Sequence, residues 1–294
     1  MNRIARRFLP ALALLAVLAG VLVRAAMPEG DAVTLRALDV GQGDAILIQD
    51  GSNQLLIDGG PDNAVLAGLG DAMPLFDRTI EEMVLTHPHM DHYAGLIPVL
   101  ARYHVKKIML GRADGDKGEY QSFLAAVAWS GAEVTQVGAG DAFDLSPRVH
   151  LAVLYPPPAG SADRAHVLTA ADKNASSVVM RMDTGGHSAL LTGDATAEVE
   201  AWLLAHGADV HADILKVAHH GSRYSSTLAF LQAVHAEYAL ISVGAKNDYH
   251  HPAWSTIQRL NALGARVYRT DQDGTVTARF TAAGVEVRAS KGRP

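Results

Sequence analysis

The feature that most constrains this chain is the segment THPHMDH, which directly follows the apolar run MVL. Three histidines and an aspartate fall within six positions where a predicted strand ends. In an extended loop, side chains two positions apart point to the same side, so His87 and His89 can reach one point in space. Asp91 and His92 can face a second point as the chain turns into a helix. Imidazoles beside a hard carboxylate suit zinc or a similar cation, whereas the alternative interpretation is a polar surface loop.

The composition limits the chemistry that is open to this segment. The 294-residue chain contains no cysteine, which excludes disulfides, thiolate metal sites and a cysteine nucleophile. Any metal must therefore be held by histidine and carboxylate. The formal net charge is -6 with Arg and Lys dispersed, so electrostatics alone predict no nucleic-acid partner. A content of 49% hydrophobic and 19% charged residues is typical of a globular chain.

The first 30 residues predict export. MNRIARRF supplies three arginines, and the apolar stretch LPALALLAVLAGVLV follows at signal-peptide length. Val23-Arg24-Ala25 is a candidate cleavage site in which Arg24 is unfavourable, so the stretch is either cut or kept as an N-terminal membrane anchor. We therefore expect residues 1–30 to be an export signal or anchor. The rest of the chain is then periplasmic or extracellular, or held at the membrane by that segment.

Short apolar segments alternate with turn residues from residue 33 onward. The pattern predicts strands at 33–39, 45–49 and 54–57, followed by strand–helix units that place THPHMDH in a strand-to-helix loop. A second round of strands and helices follows residue 175, and residues 266–280 are predicted to form a closing hairpin. Both halves pass from a meander to strand–helix units, which indicates two sheets with helices outside them.

Two further polar segments follow apolar strands. LLTGD places Asp194 at the end of one predicted strand, where its carboxylate could bridge two cations or cap the following helix. LKVAHHGS places His219 and His220 at the end of another strand. The recurrence of one layout, an apolar strand followed by His or Asp and then Gly, favours a shared metal site over separate local roles.

Several segments, taken in order, resemble the metallo-β-lactamase superfamily, and particularly the metallo-hydrolase domain of ComEC-type competence proteins. The segments are DVGQGDAILI, LLIDGG, THPHMDH, LLTGD, LKVAHHGS, SVG and YHHP. The resemblance covers about residues 33–280 and implies a single domain over 31–294. It implies an α/β (α+β) fold, a four-layer αββα sandwich, with a two-metal hydrolytic site at one edge of the sheets. The strand and helix periodicity is compatible with this fold but does not establish it.

The same resemblance implies a ligand set for two divalent metal ions, with zinc expected and manganese as the alternative. His219 is preferred over His220 because related enzymes show H-x-G-[ST] at that position. Asp58 would fix the motif loop by hydrogen bonds. The implied ligands are His87 and His89 for the first ion, Asp91, His92 and His219 for the second, and Asp194 as a bridge between them.

The chain departs from the family pattern at the first metal. Many superfamily members supply a third histidine there, whereas the corresponding region, DKNASSVVM, offers Asn174. We expect Asn174 either to ligate weakly or to hold substrate, with His166 as the alternative ligand. His251 in YHHP is expected at the mouth of the site as a proton donor or oxyanion contact, the alternative being a loop histidine ordered by Pro252. Asp91 is the other residue expected to act in catalysis.

Hydrolysis is the expected reaction, because paired cations generate a nucleophile from water and stabilise developing charge. The leading prediction is an exported metal-dependent phosphodiesterase or nuclease. DNA is a candidate substrate because the ComEC-like branch is associated with DNA uptake. The alternatives are hydrolysis of an ester, lactone or β-lactam on the same metals, and a non-catalytic metal-binding module. The membrane is an expected partner only through the N-terminal segment, and no oligomeric state is predicted.

Overall fold

The structure is a computed structural model that describes residues 32–111, 118–164 and 172–292. The predicted export segment and His166 lie outside these residues. Within the described ranges, no helix combines the length and the apolar character needed to cross a membrane. The strands are β1 (Val33–Ala37), β2 (Ile46–Asp50), β3 (Asn53–Ile57), β4 (Thr79–Leu85), β5 (His104–Leu110), β6 (Glu133–Gln136), β7 (Ala142–Ser146), β8 (Val149–Tyr155), β9 (Val179–Thr184), β10 (His187–Leu191), β11 (Ile214–Lys216), β12 (Tyr238–Ile241), β13 (Arg266–Arg269), β14 (Val276–Thr281) and β15 (Gly284–Ala289). The helices are α1 (Ala64–Ala72), α2 (Met90–Tyr93), α3 (Leu96–Leu100), α4 (Glu119–Ser130), α5 (Ala197–Ala205), α6 (Leu228–Val234), α7 (Trp254–Ala262) and α8 (Thr270–Asp273).

The strands form two mixed sheets. The first sheet has the order β15-β14-β1-β2-β3-β4-β5-β6, and the second has the order β13-β12-β11-β10-β9-β8-β7. Antiparallel pairs make up one side of each sheet. On the other side, β3 to β6 run parallel to one another, and so do β10 to β13. Each sheet therefore combines the predicted meander with the predicted strand–helix units.

Apolar side chains are buried in three layers. Because successive strand residues face opposite sides, Leu55 and Ile57 point between the two sheets while Leu56 points towards the helices. The layer between the sheets also contains Met180 of the second sheet. Another layer joins the first sheet to α1, α3 and α4, and a third joins the second sheet to α5, α6 and α7. The predicted αββα sandwich is thereby confirmed.

One edge of the sandwich collects the loops that carry the predicted site. Parallel strands end at the same edge of their sheet, and ligand sites form beyond those ends. In the first sheet, Asp58 follows β3 and THPHMDH follows β4. In the second sheet, Asp194 follows β10, and His219 and His220 follow β11.

The loop after β3 and the loop after β4 meet backbone to backbone. Gly59 N donates to His92 O at 2.7 Å, and Gly95 N donates to Gly60 O at 2.9 Å. A Cβ placed on Gly95 would lie 1.9 Å from the carbonyl oxygen of Gly59. Only glycine at position 95 therefore allows this approach, which fixes the loop of the histidine motif against the sheet.

The predicted hairpin at 266–280 is wrong. Strand β13 pairs with β12 in the second sheet, whereas β14 pairs with β1 and β15 in the first sheet. The short helix α8 carries the chain from one sheet to the other. The hairpin partner of β14 is β15, which sequence reasoning did not identify. Strand periodicity shows where strands lie but does not show which strands pair.

Candidate metal centre

The loop after β4 brings the first two motif histidines together, as their spacing predicts. His87 Nε2 lies 3.0 Å from His89 Nδ1. His87 is buried, whereas His89 is partly exposed at the edge of the site. Burial lowers the pKa of both rings, and the neighbouring His92 lowers it further. Both imidazoles are therefore neutral near pH 7, which is the form that binds metal.

Asp58 orients the third histidine of the motif. Its Oδ2 accepts a hydrogen bond from His92 Nδ1 at 2.7 Å, and its two oxygens also accept from the backbone N and the hydroxyl of Thr86. Asp58 has a left-handed backbone with φ of 58°, which turns the chain sharply after β3. With Nδ1 engaged, His92 presents Nε2 to the centre of the cluster.

Asp194 lies at the centre of the cluster. Its Oδ2 is 3.4 Å from His92 Nε2, 3.5 Å from His220 Nε2, and 3.9 Å from the Nε2 atoms of both His87 and His219. Burial would raise the pKa of Asp194, but positive charge on His220 and His92 outweighs burial and holds the pKa well below its usual range. A buried carboxylate surrounded by imidazole nitrogens is a suitable bridging ligand.

His219 and His220 take different positions although they are adjacent. Both have left-handed backbones, with φ of 50° and 52°, and their side chains diverge. His220 is buried, donates from Nδ1 to Ser242 O at 2.9 Å, and places Nε2 3.3 Å from Asp91 Oδ2. The His219 side chain is 26% exposed, and its ring packs edge-on against that of His251 at 5.6 Å. The predicted ligand His219 thus borders the cluster, while His220 lies within it.

The donor atoms of this cluster fit divalent metal ions. Among the described residues, His92 Nε2, His220 Nε2, Asp194 Oδ1 and Asn174 Oδ1 are buried and have no hydrogen-bond partner. Such atoms are costly to bury unless something binds them. His87, His92 and Asp194 offer ligand atoms that all lie within 4.8 Å of one another, and so do Asp91, His92 and His220.

A cavity of about 550 Å³ opens onto the cluster. Asn174 and His251 both line it. Tyr249 stacks on His251 with ring centroids 5.8 Å apart, and Asn247 fixes the backbone of His251 through hydrogen bonds of 2.8 and 2.9 Å. Burial, His219 and His220 lower the pKa of His251 to about 4. His251 is therefore a neutral imidazole near pH 7.

Sequence reasoning did not assign two residues of the DVGQGD segment. Gln42 lines the cavity, and its Oε1 accepts from Gly244 N at 3.2 Å. Asp44 is buried beside Lys216, with 2.8 Å between Oδ2 and Nζ. Burial would raise the pKa of Asp44, but Lys216 and His220 lower it to about 2. The DVGQGD segment supports the family resemblance. No local sequence pattern, however, predicts that Asp44 pairs with the distant residue Lys216.

The two sheets, the flanking helices and the His/Asp cluster define a metallo-hydrolase fold with a candidate metal-binding site. The family model of the metallo-β-lactamase superfamily matches residues 38–245, and the chain therefore belongs to that superfamily.

The relatives of this chain include competence proteins, which is the branch of the superfamily that the sequence motifs predict. The chain is 32% identical to ComE operon protein 3 of Bacillus subtilis (strain 168), over 69% of this chain and 25% of that protein. It is 28% identical to competence protein ComA of Neisseria gonorrhoeae, over 90% of this chain and 34% of that protein. The chain thus spans only about a quarter to a third of the length of these relatives. The resemblance to the ComEC-type metallo-hydrolase domain is confirmed.

A solved structure shows the same fold. The metallo-β-lactamase fold protein YhfI from Bacillus subtilis superposes with a TM-score of 0.51 at 14% identity, covering 80% of this chain and 95% of that one. At this identity, the likeness concerns the fold alone.

Proposed function

We propose that this chain is an exported metal-dependent phosphodiesterase that uses two divalent ions, with DNA as the candidate substrate. The observation that carries the proposal is the buried Asp194 carboxylate, which lies 3.4 to 3.9 Å from ring nitrogens of four histidines. A carboxylate in this position can bridge two ions, and paired ions are the recurring arrangement in enzymes that cleave phosphodiesters. The competence proteins among the relatives support a phosphodiester substrate over an acyl substrate.

The proposed ligand set differs from the sequence-based one at a single position. His220 replaces His219 because His220 Nε2 is buried, has no hydrogen-bond partner among the described residues, and faces both Asp91 and Asp194. Zinc suits the histidine-rich first site, and manganese suits the carboxylates of the second. The set is His87 and His89 for the first ion, Asp91, His92 and His220 for the second, and Asp194 as the bridge.

The residues around the cavity suit a phosphodiester. When bound, the ions lower the pKa of water towards about 7 and offset charge on phosphoryl oxygens. No Lys or Arg of the described ranges lines the cavity, so the ions themselves must offset the charge of an anionic substrate. Gln42, held through its Oε1, keeps its amide NH₂ for a phosphoryl oxygen, and neutral His251 can donate an N–H to the same group. Asn174 offers its Oδ1 to the first ion or to the substrate.

Hydrolysis assays on the purified full-length chain test this function. We expect zinc- or manganese-dependent cleavage of bis-(p-nitrophenyl) phosphate and of a single-stranded DNA oligonucleotide, lost on treatment with a chelator and restored by added metal. Nitrocefin, a β-lactam, serves as the comparison substrate. If the protein binds metal but cleaves only nitrocefin, the acyl-hydrolase alternative replaces the phosphodiesterase. Bound metal with no cleavage of any of the three would favour a binding module.

Export is proposed from the three arginines and the apolar stretch of the first 30 residues. Fractionation of cells that produce the full chain should find it outside the cytoplasm or in the membrane fraction. Recovery only in the cytoplasm would contradict export.

Adjacent alanine substitutions separate the two candidate histidine ligands. His220→Ala is expected to lower the bound metal from two ions to one per chain, because the substitution removes a buried donor from the second site. His219→Ala is expected to retain both ions and serves as the matched control, since that side chain borders the solvent. Metal content after dialysis against a weak chelator is the measurement. The opposite pattern would restore His219 as the ligand.

A further inference from the structure

A buried ion pair lies beside the metal cluster. Lys216, the last residue of β11, is 1% exposed, and Asp44 is 2% exposed. Lys216 Nζ donates to Asp44 Oδ2 at 2.8 Å and to Val217 O at 2.9 Å. Removing two charges from water costs several kcal/mol per ion. A buried pair of this kind is therefore weak support for stability by itself.

Asp44 is linked through its backbone to both loops of the first sheet that shape the site. Its N donates to Asp91 O at 3.2 Å, and its carbonyl oxygen accepts from Gly60 N at 2.7 Å. The preceding residue must be glycine, because a Cβ on Gly43 would lie 2.2 Å from Asp91 O. Asp44 thus packs directly behind the motif loop.

The second carboxylate oxygen of Asp44 faces the cluster. Oδ1 has no hydrogen-bond partner among the described residues and lies 3.4 Å from His220 Nδ1. Asp44 also belongs to two groups whose ligand atoms lie within 4.8 Å of one another, one with Asp58 and His92 and one with Asp194 and His220. The carboxylate therefore stands between the ammonium group of Lys216 and the ring of His220.

The arrangement of Lys216, Asp44 and His220 indicates how the ion pair acts on the metal site. The Lys216 ammonium group binds Oδ2 of Asp44, which holds the carboxylate on the Nδ1 side of the His220 ring. The other oxygen, Oδ1, places negative charge beside Nδ1 of the His220 ring. Ser242 O accepts from His220 Nδ1 and sets the ring orientation in which Nε2 faces the cluster, and the carboxylate beside Nδ1 raises the basicity of the ligand.

We propose that Asp44 and Lys216 are a positioning pair for the second metal site, acting through His220. The inference rests on the proposed two-metal function. Neither residue touches the substrate. The pair sets the affinity of the second site and leaves the first site, formed by His87 and His89, unaffected.

The test is zinc affinity measured by competition with a chromophoric chelator, together with the melting temperature of the metal-free protein. The variant Asp44→Asn/Lys216→Met removes both charges in near-isosteric form and keeps the net charge of the chain. We expect at least about tenfold weaker binding of one zinc ion, with the other unchanged. If the double variant does not fold, Asp44→Glu provides the same measurement, because it keeps both charges and displaces the carboxylate relative to His220.

The control is Asp50→Asn/Arg148→Met, which neutralises another ion pair, between Asp50 at the end of β2 and Arg148 just before β8. This control should leave both zinc affinities unchanged. The proposal is overturned if the Asp44 and Lys216 variant binds both ions like the wild type. It is also overturned if both sites weaken together in step with a lower melting temperature, since that pattern indicates a structural role. Failure of the wild type to bind two zinc ions would instead reject the proposed two-metal function.

Discussion

Replacing Asp194 with alanine is expected to abolish hydrolysis and to remove at least one bound metal ion. The substitution deletes the carboxylate that lies near the ring nitrogens of His87, His92 and His220, so these three proposed ligands lose their shared partner. Losing several kcal/mol of transition-state stabilisation corresponds to a fall in kcat/KM of about 1000-fold or more. Phosphodiester hydrolysis and metal content, measured on the same preparation, check the expectation.

The metal-free fold should survive this change. Despite burial, positive charge on His220 and His92 holds the pKa of Asp194 well below its usual range, so the carboxylate stabilises the metal-free fold at neutral pH, and the melting temperature of the metal-free variant is expected to fall below that of the metal-free wild type without loss of folding. Asp71→Ala, an exposed carboxylate on α1, is the matched control and should retain activity and both ions. Wild-type activity in Asp194→Ala would reject the bridging role.

The second large effect is expected on stability. In Gly95→Ala the new Cβ would lie 1.9 Å from Gly59 O and 2.6 Å from Asp62 O, and both neighbours are backbone atoms that cannot rotate away. We expect the free energy of unfolding to fall by about 3 kcal/mol or more. For a chain of this size, that loss lowers the melting temperature by roughly 6 to 12 °C. Thermal unfolding followed by circular dichroism is the measurement.

A second glycine supplies the control for this substitution. Gly70 lies on α1, where an added Cβ has no neighbour within 4 Å. Gly70→Ala should be neutral or stabilising, because alanine favours a helix by roughly 1 kcal/mol over glycine. Equal melting temperatures for the two variants would show that the loops at Gly59 and Gly95 can separate without loss of stability.

The motif segment was predictable from sequence because its geometry is local. The alternation of His87 and His89 in an extended loop determines that their rings converge, and the structure places their ring nitrogens 3.0 Å apart. The positions of Asp194 and of the HHGS segment followed from apolar strands that end at one edge of a sheet. The role of Asp58 was implied by the family resemblance, and its hydrogen bonds to Thr86 and His92 match that role.

The unpredicted features depend on backbone angles and on long-range pairing. His219 and His220 both adopt left-handed backbone conformations, which are uncommon for residues other than glycine. No pattern in the neighbouring residues predicts these conformations. Sequence alone therefore could not determine which ring enters the cluster. Asp44 and Lys216 are far apart in the chain, so their contact depends on the assembled sheets. The closing hairpin was assigned wrongly because α8, between the two strands, moves the chain to the other sheet.

The cluster draws its donors from both sheets, since the motif loop belongs to the first and Asp194 and His220 belong to the second. A metal ion bound there is thus a reversible cross-link across the sandwich at one edge. Any opening that parts the sheets at that edge also releases the ion, so the two events share one equilibrium. Each tenfold excess of free metal over its dissociation constant would add about 1.4 kcal/mol to the closed form relative to a form that has released the ion.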